Sequence, residues 1–132
     1  MDGTALIAPA ALLHCSLLIV VVCFTGRSGP RNDLIGIRTW ATTASEKAWE
    51  TAHAAALPWS WATVGTSAAS LTVGVMLYST GRPLPAGVEG WYTGACIAAF
   101  GAVMAGLALR ADRAAKHILM HEGLDEESPA DP

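Results

Sequence analysis

The chain has 132 residues, of which 52% are hydrophobic and only 14% charged, with a net charge of -3 and a mean hydropathy of +0.40. An ordinary soluble domain carries about 25% charged residues, so a water-soluble globule is excluded, and so is a nucleic-acid surface, which would need a basic patch. The charges avoid three windows, 3–26, 54–81 and 90–109, each long enough to hold the roughly 20 apolar residues that cross a bilayer as a helix.

Residues 4–25 (TALIAPAALLHCSLLIVVVCFT) read as a first transmembrane helix, with Pro9 early enough that its missing donor costs little. A cleaved signal peptide would begin with a basic segment, whereas the charge preceding this run is Asp2, so residues 1–25 are expected to be a short terminus and a retained span. His14 lies near its middle. An ionisable intramembrane side chain is a functional hypothesis by default, but a neutral imidazole bonded to a Ser or Thr of another helix is the simpler reading. No Asp or Glu within a span completes a proton relay.

Residues 26–57 open with GRSGPRND, a turn-forming cluster. Thr43 and Glu46 have the spacing of a capping box, and Ala48, Trp49, Ala52 and Ala56 then recur on one helical face, opposite Glu46, Lys47, Glu50 and Thr51. The pattern predicts a short amphipathic helix on the membrane surface with Trp49 as an interfacial anchor. Pro58 should bend or restart it before a second span, 58–79.

Trp59 and Trp61 stand at one end of that second span and Tyr78 at the other, as aromatic belts prefer. A Pro- and Gly-rich turn, 80–89, leads to a third span, 90–109, which begins with Trp91 and Tyr92. Residues 58–110 are therefore expected to hold two helices. In residues 111–132 a helical phase set by Arg110, Arg113 and Lys116 should run to about Met120 and stop at Gly123, before an acidic tail too polar to pack.

Seven of the eight basic residues, Arg27, Arg31, Arg38, Lys47, Arg110, Arg113 and Lys116, fall on one side of this layout, and Arg82 alone on the other. The positive-inside rule then puts the N-terminus outside and the C-terminus and the long connection in the cytoplasm. The predicted class is an all-α membrane protein with three transmembrane helices and a short cytoplasmic amphipathic helix before the second.

Helices in lipid associate through small residues. Gly90, Gly94, Ala98, Ala102 and Gly106 form one stripe at every fourth position, and Ala62, Thr66, Ser70 and Gly74 form another. The two are expected to face each other, with a second copy of the chain as the alternative occupant.

Chemistry is sparse. There is no GxSxG elbow, no phosphate-binding Gly-rich loop and no pair of intramembrane carboxylates, so no enzyme activity is expected. Cys15, Cys23 and Cys96 lack CxxC spacing, and His117 and His121 sit in HILMH rather than HExxH, so neither cofactor nor metal is expected. Arg38 can bridge lipid phosphates, pair with Glu46 or contact a partner, besides enforcing topology.

Asn32, Gly36, Arg38, Thr39, Ser45, Glu46, Trp49, Ala52 and His53 occur in the order of the signature of the SdpI family of small bacterial integral membrane proteins, which the segment 32–109 resembles. Trp40 stands where the family commonly has Pro. The family takes its name from a longer immunity protein that protects its producer from a secreted toxin and relays the toxin's presence to a transcriptional repressor. The resemblance implies a multi-pass protein of the bacterial inner membrane, acting in toxin immunity or in membrane signalling through protein interaction. Its expected partners are membrane lipids and a toxin or regulator; the alternative is an accessory subunit of a larger membrane complex.

Overall fold

The computed structural model describes residues 3–31, 35–81 and 87–126, and among them it contains helices and connections but no strand. A 3-10 turn, Gly3–Leu6, leads into α1, Ile7–Gly26; α2 is Glu46–Ser79 and α3 is Val88–Glu126. Two helical segments, Ile7–Gly26 and Val88–Gly123, are long and apolar enough to cross a membrane. The hydropathy of α2 is lowered by Ser60, Thr63, Thr66, Ser67, Ser70 and Thr72. The chain forms two compact units, one of residues 1–20 and 59–106, the other of 21–58 and 107–132.

In the first unit the helices meet through hydroxyl groups. Ser16 of α1 is fully buried, and its Oγ lies 2.8 Å from the Leu12 carbonyl, 3.1 Å from the Thr63 carbonyl and 2.9 Å from Ser67 Oγ on α2. Thr63, Thr66 and Thr72 donate back to the carbonyls of Ser60, Ala62 and Ala68 at 2.6, 2.9 and 2.9 Å. A hydroxyl bonded in this way loses most of its polar cost in an apolar medium. Further along, Tyr92 of α3 donates to the Ser70 carbonyl at 2.5 Å. A side chain at Gly74 would run into the Tyr92 hydroxyl and Leu6.

These contacts engage only part of the two expected stripes. On α2 the inward residues are Ser60, Thr63, Ser67 and Gly74, whereas Ala62 is exposed and Thr66 and Ser70 are half-buried. On α3 the packed face of this unit carries Tyr92 and Cys96, and Gly90, Gly94, Ala98 and Ala102 point outward. Gly106 alone of that stripe meets α2, under the Trp59 ring. Recurrence at every fourth position marks a face but not its direction; the buried hydroxyl bonds and the tyrosine set the rotation. His14 is likewise exposed rather than packed, two positions from the hydroxyl that takes the inner place, Ser16.

The second unit corrects the surface helix. α2 runs unbroken through Pro58, so no separate amphipathic helix precedes a second span. Ala48, Trp49, Ala52 and Ala56, expected to rest on headgroups, have no exposed surface. A proline inside a helix costs about 3 kcal/mol, and α2 nonetheless continues through Pro58. Leu107, Ala111 and Ala115 of α3 are buried in the same unit. α3 also continues past Gly123, which does not stop it. The acidic tail from 127 onward, like Asn32 and Arg82, lies outside the described residues.

Candidate functional site

The polar connection 35–45 and the first turns of α2 form a tightly bonded cluster within the second unit. Residues 39–44 make a turn, with the Thr43 backbone N–H donating to the Thr39 carbonyl at 3.2 Å. The Thr39 N–H donates to Thr42 Oγ1 at 2.8 Å, and the Thr42 hydroxyl donates in turn to the Ile37 carbonyl at 2.7 Å. Thr42 is fully buried. Threonine hydroxyls thus supply the turn that a proline at position 40 would otherwise fix, and Trp40 is left 77% exposed.

Ser45, not Thr43, caps α2. Its Oγ accepts the Ala48 N–H at 3.1 Å and donates to Glu122 Oε2 on α3 at 3.1 Å, so one hydroxyl starts the helix and ties it to another. Thr43 is already engaged, donating to the Thr39 carbonyl at 3.0 Å. Glu46 leaves the capping box for the preceding loop, where its carboxylate accepts the Arg31 N–H at 2.9 Å. The Arg31 guanidinium donates to the Thr43 carbonyl.

One turn into α2, Trp49 and His53 lie ring against ring at 4.2 Å between centroids, both without exposed surface. His53 Nδ1–H donates to the Trp49 carbonyl at 2.8 Å, and Nε2 accepts the Ile37 N–H at 3.1 Å. The two bonds assign the neutral tautomer, since an imidazolium has no lone pair for Ile37. Two glycines close over the pair. Gly36 has φ 140, a conformation foreign to residues with a side chain, and a Cβ there would overlap the Trp49 ring; one at Gly26 would overlap the His53 ring. The indole N–H of Trp49 has no partner among the described residues.

Burial pushes the His53 pKa below its ordinary 6.5, the bond to the Trp49 carbonyl opposing it more weakly. A histidine held neutral in the fold takes up a proton more readily when unfolded. Its stabilising effect is therefore complete above pH 6.5 and is lost as pH falls below that value toward the folded-state pKa. Unfolding midpoints in detergent are expected to drop between pH 7.5 and about pH 5.5, and the drop should shrink in His53→Gln; an equal drop in both would assign it to other groups.

Of the signature residues, the buried Trp49 and His53 come together with the half-buried Gly36, while Thr39, Ser45 and Glu46 organise the turn and helix start around them. Arg38 is exposed, on the strand of chain between Ile37 and Thr39 that the buried bonds hold. Sequence reasoning missed Thr42, Gly26, Arg31 and Glu122. The Thr39-x-x-Thr42 spacing carried a turn signal for the first. Glu122, 77 residues from Ser45, carried none. Among the described residues no group of three or more His, Cys, Asp or Glu is arranged to hold a metal ion. His117 and His121 lie ring to ring at 4.5 Å on the surface of α3.

The model of the SdpI/YfhL protein family matches residues 29–110, which include the connection and the start of α2 but not Gly26 or Glu122. No curated protein and no solved structure matches the chain significantly.

Proposed function

Because the chain belongs to the SdpI/YfhL protein family, and is a membrane protein of that family, we propose that it crosses the bacterial inner membrane three times, N-terminus outside, and works by protein contact. The contact surface is the connection between α1 and α2 on the cytoplasmic side, and the task is toxin immunity or membrane signalling. α2 serves as the remaining span: the hydroxyls of Thr63, Thr66 and Thr72 are bonded to helix carbonyls and that of Ser67 to Ser16, so its modest hydropathy overstates its polarity.

The observation that carries the reading is a rigid frame beneath an exposed rim. Thr42, Trp49 and His53 are fully buried and bonded or stacked, whereas Arg38 and Trp40 project outward from the turn they support. Arg and Trp are the residue types over-represented where binding energy concentrates, and a preorganised loop loses little entropy on docking. Deleting the gene and challenging cells with their own secreted peptide toxins should raise sensitivity to one of them. Unchanged sensitivity to every toxin would remove immunity.

A second reading is an accessory subunit of a larger membrane complex. It is favoured by the outward stripe of Gly90, Gly94, Ala98 and Ala102, which would let another helix approach closely. Purification in mild detergent separates the two, since a subunit travels with a large complex and an immunity protein as a monomer or dimer.

A further inference from the structure

His117 and His121 stand one turn apart on α3, both exposed, with ring centroids 4.5 Å apart and 58° between the planes. The packing of this part of the helix uses other residues: Ala111 and Ala115 carry the buried face, and Glu122 accepts the Ser45 hydroxyl. An imidazole nitrogen binds a transition-metal ion at about 2.0–2.1 Å, which sets each ring centre about 3.2 Å from the ion. Two rings on one ion then have centres about 4.5 Å apart at a right angle and about 5.2 Å apart at the tetrahedral angle. The separation in α3 is that of the right angle, which square-planar and tetragonal ions prefer.

We propose that His117 and His121 chelate a divalent ion of the later transition series, copper(II) or nickel(II) ahead of zinc(II), with water in the positions the chain leaves open. Among the described residues no third His, Cys, Asp or Glu joins them. Arg113 precedes His117 by one turn and Asp125 follows His121 by one turn, still within α3, so the fixed charges at the two ends offset each other. A carboxylate at that register suits the second ring nitrogen of a ligating histidine. HILMH lacks the glutamate of a catalytic zinc site, so the ion clamps rather than catalyses. The clamped turn immediately precedes Glu122, whose bond to Ser45 joins α3 to the start of α2, and occupancy reinforces that tie. The inference depends on neither the membrane topology nor the immunity role.

The untagged full chain in detergent, stripped of metal by a chelator, should bind one equivalent of Ni2+ by titration calorimetry. Bound Cu2+ should show two nitrogen ligands by electron paramagnetic resonance. His117→Gln and His121→Gln should each weaken Ni2+ binding at least about tenfold, and the double variant should lose little more, because a chelate fails with either donor. Ni2+ should raise the unfolding midpoint of the wild type and leave that of the double variant unchanged. Both side chains are exposed, so helicity by circular dichroism should be kept. His14→Gln, which removes another exposed imidazole, should bind as the wild type does. Undiminished Ni2+ binding in the double variant, or losses in the single variants that simply add, would overturn the proposal. So would a single nitrogen ligand in the copper spectrum of the wild type, a measurement that needs no variant to fold.

Discussion

Trp49→Ala is expected to cost about 3–5 kcal/mol of stability, the range for removing a large aromatic side chain from a packed interior. Trp49 is the largest fully buried side chain. Its ring lies against both His53 and Gly36, so its loss opens a cavity beside them. Trp49→Phe should cost far less, because the discarded indole N–H has no partner among the described residues. Reversible unfolding in mixed micelles measures both. A small loss in Trp49→Ala would place the ring in lipid headgroups after all, as a surface helix requires.

The second large effect belongs to the smallest residue. Gly36→Ala is expected to destabilise by about 3 kcal/mol, from a φ of 140 that an L side chain rarely adopts and from a Cβ that would overlap the Trp49 ring. Gly94→Ala is the control: it is helical, exposed, and has nothing within 4 Å of an added Cβ, so it should be neutral or slightly stabilising. The same unfolding measurement applies. Equal tolerance at both positions would show that Gly36 is not held where the structure places it.

The helical class was legible because charge is absent from long windows, and lipid leaves a chain few other ways to satisfy its backbone. The family was legible from ordered residues such as Gly36, Arg38, Trp49 and His53. What those residues do was not. That Gly36 faces an indole and His53 accepts a backbone N–H follows from chain reversal between α1 and α2, which no local pattern encodes. The cap was misplaced by two residues because Thr43 and Ser45 are equally able; only the turn, by occupying Thr43, leaves the task to Ser45. The amphipathic stripe of α2 was correctly seen as apolar but assigned to the wrong neighbour. Lipid and protein satisfy an alanine-rich face alike, and only the three-dimensional structure distinguishes them.

Topology decides whether the Arg38–Trp40 rim faces the partners proposed for it. Paired reporter fusions, one active only in the cytoplasm and one only after export, can be joined after residue 45, within the turn between α2 and α3, and after residue 126. The reading predicts a cytoplasmic signal at the first and last positions and an exported signal at the turn. Export of the first junction, or a cytoplasmic signal at all three, would contradict it.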